Sequence, residues 1–292
     1  SEDQKKRYIP PILEGTEQWA QGFSEPGAGS DLASLKSTAI LDGDKYIVNG
    51  QKIWTTEAGY SELGFFLVRT DTTSKHGGIS MIIIDMSSPG ITVRPIEMIN
   101  GDPSTFEVFL DNVEVPRENL IGEPGTAWQQ TKFLLANERT SSADIDKAYG
   151  DLRRIRAIAR REHKNGRPLI EDPGFRQRLT QLELEVEALE WSVLRVLCNA
   201  PSHHPSAASA SVLKIKGSDL QHKLTKLATD ALGPRALRLY TREQAFNAQI
   251  SALWPGYVPG VTHDMLYMRA CSIYGGSREI QKNIIAKIAF AM

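Results

Sequence analysis

Apolar and polar positions alternate with a strand-like period from Trp19 to about Val115, and after Gly125 the period becomes helical. Within the first region, Lys36 to Val48 reads as a hairpin with Asp42-Gly43-Asp44 at its turn. The runs GFFLVRT, GISMIIIDM, GITVRPIEM and STFEVFLDNVEVP follow, each bounded by Gly, Pro, Asn or Asp. Short strands at this spacing predict a β-barrel or sandwich over residues 17–125. In the second region, Thr126 is placed to cap a helix carrying Trp128, Phe133, Leu134 and Leu135, which leads into Asn137-Glu138-Arg139. Ile145 to His163 carries a basic face (Arg153, Arg154, Arg156, Arg160, Arg161) that reads as solvated. Asp172-Pro173 opens the clearest helix: Leu179, Leu182, Val186, Leu189, Val193 and Val196 recur at three- and four-residue steps, and Pro201 follows its end. Further helices are expected from about Ala207 to Leu232, stopped by Gly233-Pro234, and from Ser277 to Met292. Residues 1–16 read as a helix end followed by a Pro-Pro linker. The fold class expected is α+β, a β-domain followed by an antiparallel four-helix bundle over 126–292.

Composition narrows the picture only a little. A chain of 292 residues can bury two cores, and its 41% hydrophobic and 24% charged residues are ordinary for a soluble globular protein. The net charge of −1 gives no argument for nucleic acid or an anionic membrane. No apolar run reaches the ~20 residues that span a bilayer. Cys198 and Cys271 sit in helix-like apolar sequence and read as reduced structural thiols. His203-His204, between prolines, reads as a loop, and His76, His163, His222 and His263 lack ligand spacing.

Two stretches carry the chemistry. In Trp19–Asp31, WAQGFSEPGAGSD, Pro26 fixes one φ, Gly27 and Gly29 allow backbone conformations a Cβ would forbid, and the small residues Ala28, Gly29 and Ser30 could bring N–H groups close to a ligand. In Gln51–Thr56, QKIWTT, an exposed Trp54 stands beside two hydroxyls, which suits a flat, polar heteroaromatic ring. A Rossmann site is disfavoured, since the third glycine and the βαβ pattern are both missing.

FSEPGAGSD, followed about two dozen residues later by NGQKIWTT and at the C-terminus by IYGGSREIQKNIIAKIAF, resembles the acyl-CoA dehydrogenase family over nearly the whole chain. The resemblance omits that family's N-terminal helical domain, whose last helix residues 1–16 resemble. It implies an FAD enzyme that takes a proton from the α-carbon of an acyl-CoA thioester while the β-carbon gives a hydride to flavin N5. Such a base works best dry, with its pKa raised by desolvation. Most members place a glutamate directly after the Tyr of the closing motif, where this chain has Gly275. A minority carries the base on the first bundle helix in a pattern like L-x-x-E-R. Leu135-Ala136-Asn137-Glu138-Arg139 matches it and makes Glu138 the candidate base.

By the same resemblance, Phe23, Ser24, Gly29, Ser30, Trp54, Thr55, Thr56, Gly233, Ser277 and Glu279 are expected around FAD, and Ser30, Arg139, Gly275 and Gly276 around the substrate. The glycine at 275 makes room for a branched or bulky acyl group. Two elements depart from the family. Its Gln-x-x-Gly-Gly is here Asp230-Ala231-Leu232-Gly233-Pro234, and its arginine-and-Phe-Gly element is not recognisable around His163–Arg167. In the family both reach a neighbouring subunit's FAD, so the pattern is similar to the larger subunits of heteromeric members. The expected partners are an electron-transfer flavoprotein and a homo- or hetero-oligomeric neighbour (dimer or tetramer), in a bacterial cytoplasm or a mitochondrial matrix. The alternatives are a non-catalytic partner subunit and an oxygen-using oxidase.

Overall fold

In the computed structural model, which describes residues 1–141, 143–199, 207–240 and 255–290, the period-two region forms one sheet. Its strands are β1 (Trp19–Gly22), β2 (Thr38–Asp42), β3 (Lys45–Thr56), β4 (Leu63–Arg69), β5 (Ile79–Asp85), β6 (Ile91–Ile96), β7 (Thr105–Pro116) and β8 (Leu120–Ile121). They pair in the order β6-β7-β3-β2-β4-β5-β8, with β1 parallel to β4. The hairpin forms as expected, with Asp42 opposite Lys45 and Gly43 at φ +63 in the turn. The closed barrel does not: β6 and β8 end the path without pairing, so the mixed sheet stays open. Closure depends on pairing between strands far apart in sequence, which local periodicity does not encode.

The chain divides into two compact units, residues 1–98 with 103–133, and residues 99–102 with 134–292. In the first, one face of the sheet buries Tyr46, Val48, Phe66, Val68, Ile82, Ile84, Phe106, Val108 and Val113. Helix α1 (Glu2–Glu14) is capped by Ser1 and Gln4 in a reciprocal capping box. Pro10 and Pro11, expected in a linker, lie inside α1. Each removes a backbone donor, but the helix buries no residue, so the acceptors they strand are hydrated. Tyr8 meets Trp19 edge-on at 5.1 Å, and Gln4 donates to the carbonyls of Glu118 and Leu120.

Helix α2 (Ala127–Ser141) follows Thr126, whose hydroxyl donates to the Glu123 carbonyl instead of capping the helix. The second unit is organised around α5 (Ala207–Leu232), which packs against α3 (Ile145–Arg161), α4 (Pro173–Asn199), α6 (Val258–Tyr267) and α7 (Arg278–Ala289). Asp172 Oδ1 caps α4 by accepting from the Phe175 amide at 2.9 Å. Leu179, Leu182, Val186 and Leu189 are buried as the stripe predicts, and Val193 and Val196 pack partly buried beside them. Full burial of such side chains stabilises by about 1.5–3 kcal/mol each. On the basic face of α3, Arg154 pairs with Asp264 and Arg156 with Glu183. His163–Lys164 (β9) and Arg167–Pro168 (β10) form a small hairpin, with Asn165 at φ +53 and Gly166 at φ +79, the pair of left-handed residues a two-residue turn requires. Cys271 is buried, but Cys198 is exposed near the end of α4. Pro201, His203, His204 and Met292 lie outside the described residues. No described helix is long and apolar enough to cross a membrane.

Candidate active site

In the first unit, the two motifs singled out in the sequence lie side by side. The Ile53 amide donates to the Ser24 carbonyl at 2.9 Å, so the chain leaving β1 runs along β3. Glu25 and Ala28 exchange both backbone hydrogen bonds at 3.0 Å, which folds Pro26-Gly27 into an exposed tip. Neither Gly27 nor Gly29 takes a left-handed φ, contrary to the sequence expectation. At both, open space lies where a Cβ would be, so close approach is what these glycines permit. Ser30 is exposed and Ser24 half-buried, whereas the Phe23 side chain is buried against Phe65.

A β-bulge sets the other motif. Lys52 pairs with Val108 and Thr55 with Phe106, so β3 carries one extra residue between them. Trp54, at φ +60, takes up the bulge. Strict alternation from Tyr46, Val48 and Lys52 would send Trp54 inward; the bulge turns it out, 55% exposed, and brings Thr55 in, fully buried. Thr56 is exposed. Glu57, at φ +59, is the second left-handed residue beside the two threonines. For side chains of this size such backbone costs about 1–3 kcal/mol per residue. The Thr55 hydroxyl is buried and has no hydrogen-bond partner among the described residues.

Sequence reading missed the group beneath both motifs. Lys52 is wholly buried and Glu25 nearly so, and their side chains meet at 2.8 Å. Glu25 also accepts from the amides of Lys36 (2.6 Å) and Ser37 (2.9 Å), and Lys52 donates to the Phe23 carbonyl at 3.3 Å. The available signal was a lysine in phase with the inward Tyr46 and Val48 of β3. Burial alone would raise the Glu25 carboxyl, but the Lys52 ammonium and these hydrogen bonds outweigh it and hold the group below its usual 4.5. Burial pulls Lys52 down to about 8 against the attraction of Glu25. Because the folded pKa of Glu25 is the lower one, its stabilisation is full above pH 4.5 and is lost as pH falls through the folded value. Melting temperatures measured from pH 6 down to pH 3 should therefore fall more steeply in the parent than in Glu25→Gln.

In the second unit, the closing motif forms a turn on α5. Lys214 Nζ (2.6 Å) and Ser218 Oγ (3.0 Å) both donate to the Cys271 carbonyl, and the Lys214 ammonium lies 4.5 Å from the centre of the Tyr274 ring. Gly275 (φ +66) and Gly276 (φ +93) follow, their carbonyls accepting from Gln281 Nε2 at 3.1 and 3.0 Å. A Cβ at Gly276 would come within 2.4 Å of that nitrogen. Ser277 caps α7 through the Ile280 amide, with Glu279 exposed in the first turn. Gly233 ends α5 at φ +58, and Asp230 is held by Arg178 and Lys226. Glu138 is half-buried in the closing part of α2; the Arg139 side chain lies outside the described residues.

The family model of the acyl-CoA dehydrogenase middle domain matches residues 20–113, and that of the C-terminal domain matches residues 125–290. The chain belongs to the acyl-CoA dehydrogenase family, flavoprotein oxidoreductases of lipid β-oxidation. Acyl-CoA dehydrogenase IpdE1 of Mycobacterium tuberculosis is 35% identical over 287 residues, covering 97% of this chain and 69% of that protein. FadE26 of the same organism is 30% identical over 304 residues, covering 100% and 72%. Among solved structures, the ChsE4–ChsE5 complex from Mycobacterium tuberculosis matches with a TM-score of 0.83 and 31% identity, covering 100% of this chain and 73% of that one. The Tcur3481–Tcur3483 steroid acyl-CoA dehydrogenase matches at 0.85 and 27%, covering 100% and 72%.

Proposed function

We propose that this chain dehydrogenates an acyl-CoA thioester at its α and β carbons with FAD as cofactor and Glu138 as the α-proton base. The observation that carries the choice of base is the backbone at Gly275, where most of the family would have its glutamate. Its φ of +66 disfavours any side chain, and the next residue is a glycine that packs against Gln281. A base is then needed from elsewhere, and Glu138 stands in the alternative motif position. Gly275→Glu should accordingly cost stability of about 1–2 kcal/mol, read as a lowered denaturation midpoint.

The residues of the first unit suit a flavin. An exposed indole at Trp54, the exposed Thr56 and the open backbone at Gly29 and Ser30 are what a flat ring with polar edges would use. FAD, when bound, supplies the two-electron acceptor for the hydride that leaves the β-carbon. Trp54 would pack on its ring and Thr56 would hydrogen-bond its edge, and Ser277 and Glu279 keep the FAD-facing roles that the family resemblance implies for the closing motif. Glu138 would take the α-proton onto its carboxylate, and Gly275 would leave room beside the acyl chain. A bulky acyl group, branched or steroid-derived, is favoured by that space and by the likeness to a steroid acyl-CoA dehydrogenase.

A second reading, a partner subunit that completes its neighbour's FAD or acyl site, is favoured by Asp230. Its carboxylate stands in the family's FAD-binding segment yet is engaged by Arg178 and Lys226. Likeness to a two-component complex supports it too. Anaerobic titration of the purified protein with straight, branched, dicarboxylyl and steroid acyl-CoA esters tests both. Bleaching of the flavin band by one class supports the dehydrogenase and names its substrate. Bleaching that awaits a second subunit moves the assignment to the partner role. Fast reoxidation in air would mark an oxidase, and slow reoxidation with transfer to an electron-transfer flavoprotein a dehydrogenase.

A further inference from the structure

We propose that the buried Lys52–Glu25 pair is a positioning device that sets the backbone of Phe23–Ser30 against Trp54–Thr56, and so sets the affinity and reduction potential of bound FAD. The inference rests on the FAD reading above and concerns residues that reading leaves without a role.

A buried ion pair calls for a reason beyond stability. Taking two charges out of water is expensive, and apolar side chains of similar volume often hold a fold as well or better. Here Lys52 is fully buried and Glu25 is 8% exposed, beside the apolar Val48 and Val108 of the same sheet. The partners of the pair show what it fastens. Lys52 reaches the Phe23 carbonyl at the entry of the loop, and Glu25 collects the amides of Lys36 and Ser37 at its exit. Both ends of the loop are thus tied to one residue of β3.

That residue is also the last one before the bulge. Beyond Lys52 the register shifts and Trp54 takes its left-handed backbone. A strained segment persists when its surroundings over-determine it. Lys52 anchors the near side, and the Glu57 amide anchors the far side on the Ser104 carbonyl at 3.0 Å. The indole and the loop therefore take their positions from one buried ammonium. Lengthening or loosening that tie would move the Ser24–Ser30 backbone relative to Trp54 while the sheet itself stays paired. Donors and an aromatic face aimed at a ring control its redox energetics only when they are held in place.

The test is built on the asymmetry between breaking and replacing a buried pair. Lys52→Met strands a buried carboxylate and Glu25→Gln strands a buried ammonium, so each alone should lower the melting temperature. The double variant K52M/E25Q removes both charges. Its single side-chain amide oxygen can accept from one of the Lys36 and Ser37 amides, which use separate carboxylate oxygens in the parent, so stability should return part of the way towards the parent while the tie to Phe23 stays cut. FAD dissociation constants and flavin midpoint potentials are measured on parent and variants beside the melts. The expected result is a refolded double variant that binds FAD about tenfold more weakly, the scale of one hydrogen bond to a charged group, with a shifted potential. A double variant that melts like the parent and keeps parental affinity and potential overturns the proposal and leaves the pair merely structural. Should the double variant melt far below the parent, Glu25→Asp decides instead, because it keeps both charges and shortens the reach by one methylene. A stable Glu25→Asp with weakened FAD binding supports the proposal; one with parental binding and potential sinks it. A parent protein that takes up no FAD overturns the cofactor reading and this inference with it.

Discussion

Glu138→Gln should slow reduction of the bound flavin by an acyl-CoA ester about 10²–10⁴-fold, the range a positioned general base contributes. Glutamine keeps the size and hydrogen-bonding reach of glutamate but cannot hold the α-proton, so ester binding should change little. A loss confined to the reductive rate, with the ester's dissociation constant preserved, marks an interaction made only in the transition state. Stopped-flow reduction under anaerobic conditions reads both quantities in one experiment. The position of Glu138 near the end of a helix that stops at Ser141 is compatible with either a base or an ion-paired surface group. Only the base predicts a rate effect this large. If Glu138→Gln reduces at the parental rate, the base lies elsewhere, and the left-handed glycine at 275 makes the closing motif itself a poor place to look for it.

What the sequence made legible was local. The hairpin at Asp42–Lys45 formed because Gly43 supplies the left-handed residue the turn requires, and α4 formed because its apolar stripe and Asp172 cap agree on one start and one buried face. The motif segments meet through the Ile53 amide and the Ser24 carbonyl just past the end of β1, although β1 itself pairs with β4 and β3 with β2 and β7. Nonlocal features were illegible for a physical reason. The bulge in β3 arises from its register against β7, some fifty residues further on, and alternation alone would have buried Trp54. The resemblance pointed to an exposed indole, but only the bulge explains how a strand delivers it. Thr55 and Phe23 show the converse. Both belong to the motifs, yet the Phe23 ring and the Thr55 hydroxyl are buried, and the Phe23 carbonyl accepts from Lys52. The Lys52–Glu25 pair was hidden because neither residue type announces burial, and its two members lie 27 residues apart.

Phe66→Ala should destabilise the first unit by about 3–5 kcal/mol. Phe66 is fully buried at the pairing of β1 with β4, and its ring fills the space over two glycines. A Cβ on Gly22 would come within 2.1 Å of the ring and one on Gly64 within 2.5 Å. The aromatic ring thus supplies the packing the glycines lack, and removing it leaves a cavity that flat glycine backbone cannot collapse into. The consequence reaches the candidate site because Gly22 runs directly into Phe23 and Ser24, so a loosened β1 loosens the loop's entry. A double-mutant cycle separates this account from general core loss. Gly22→Ala should be destabilising in the parent, where its methyl meets the ring, and much less so in the Phe66→Ala background, where that space is free. Denaturant midpoints analysed by linear extrapolation give all four corners of the cycle. Additivity within about 0.5 kcal/mol would mean that Gly22 is small for some reason other than Phe66. A coupling larger than that, with the double variant more stable than the sum of the singles, would fix the ring as the element that dictates glycine where β1 enters the site.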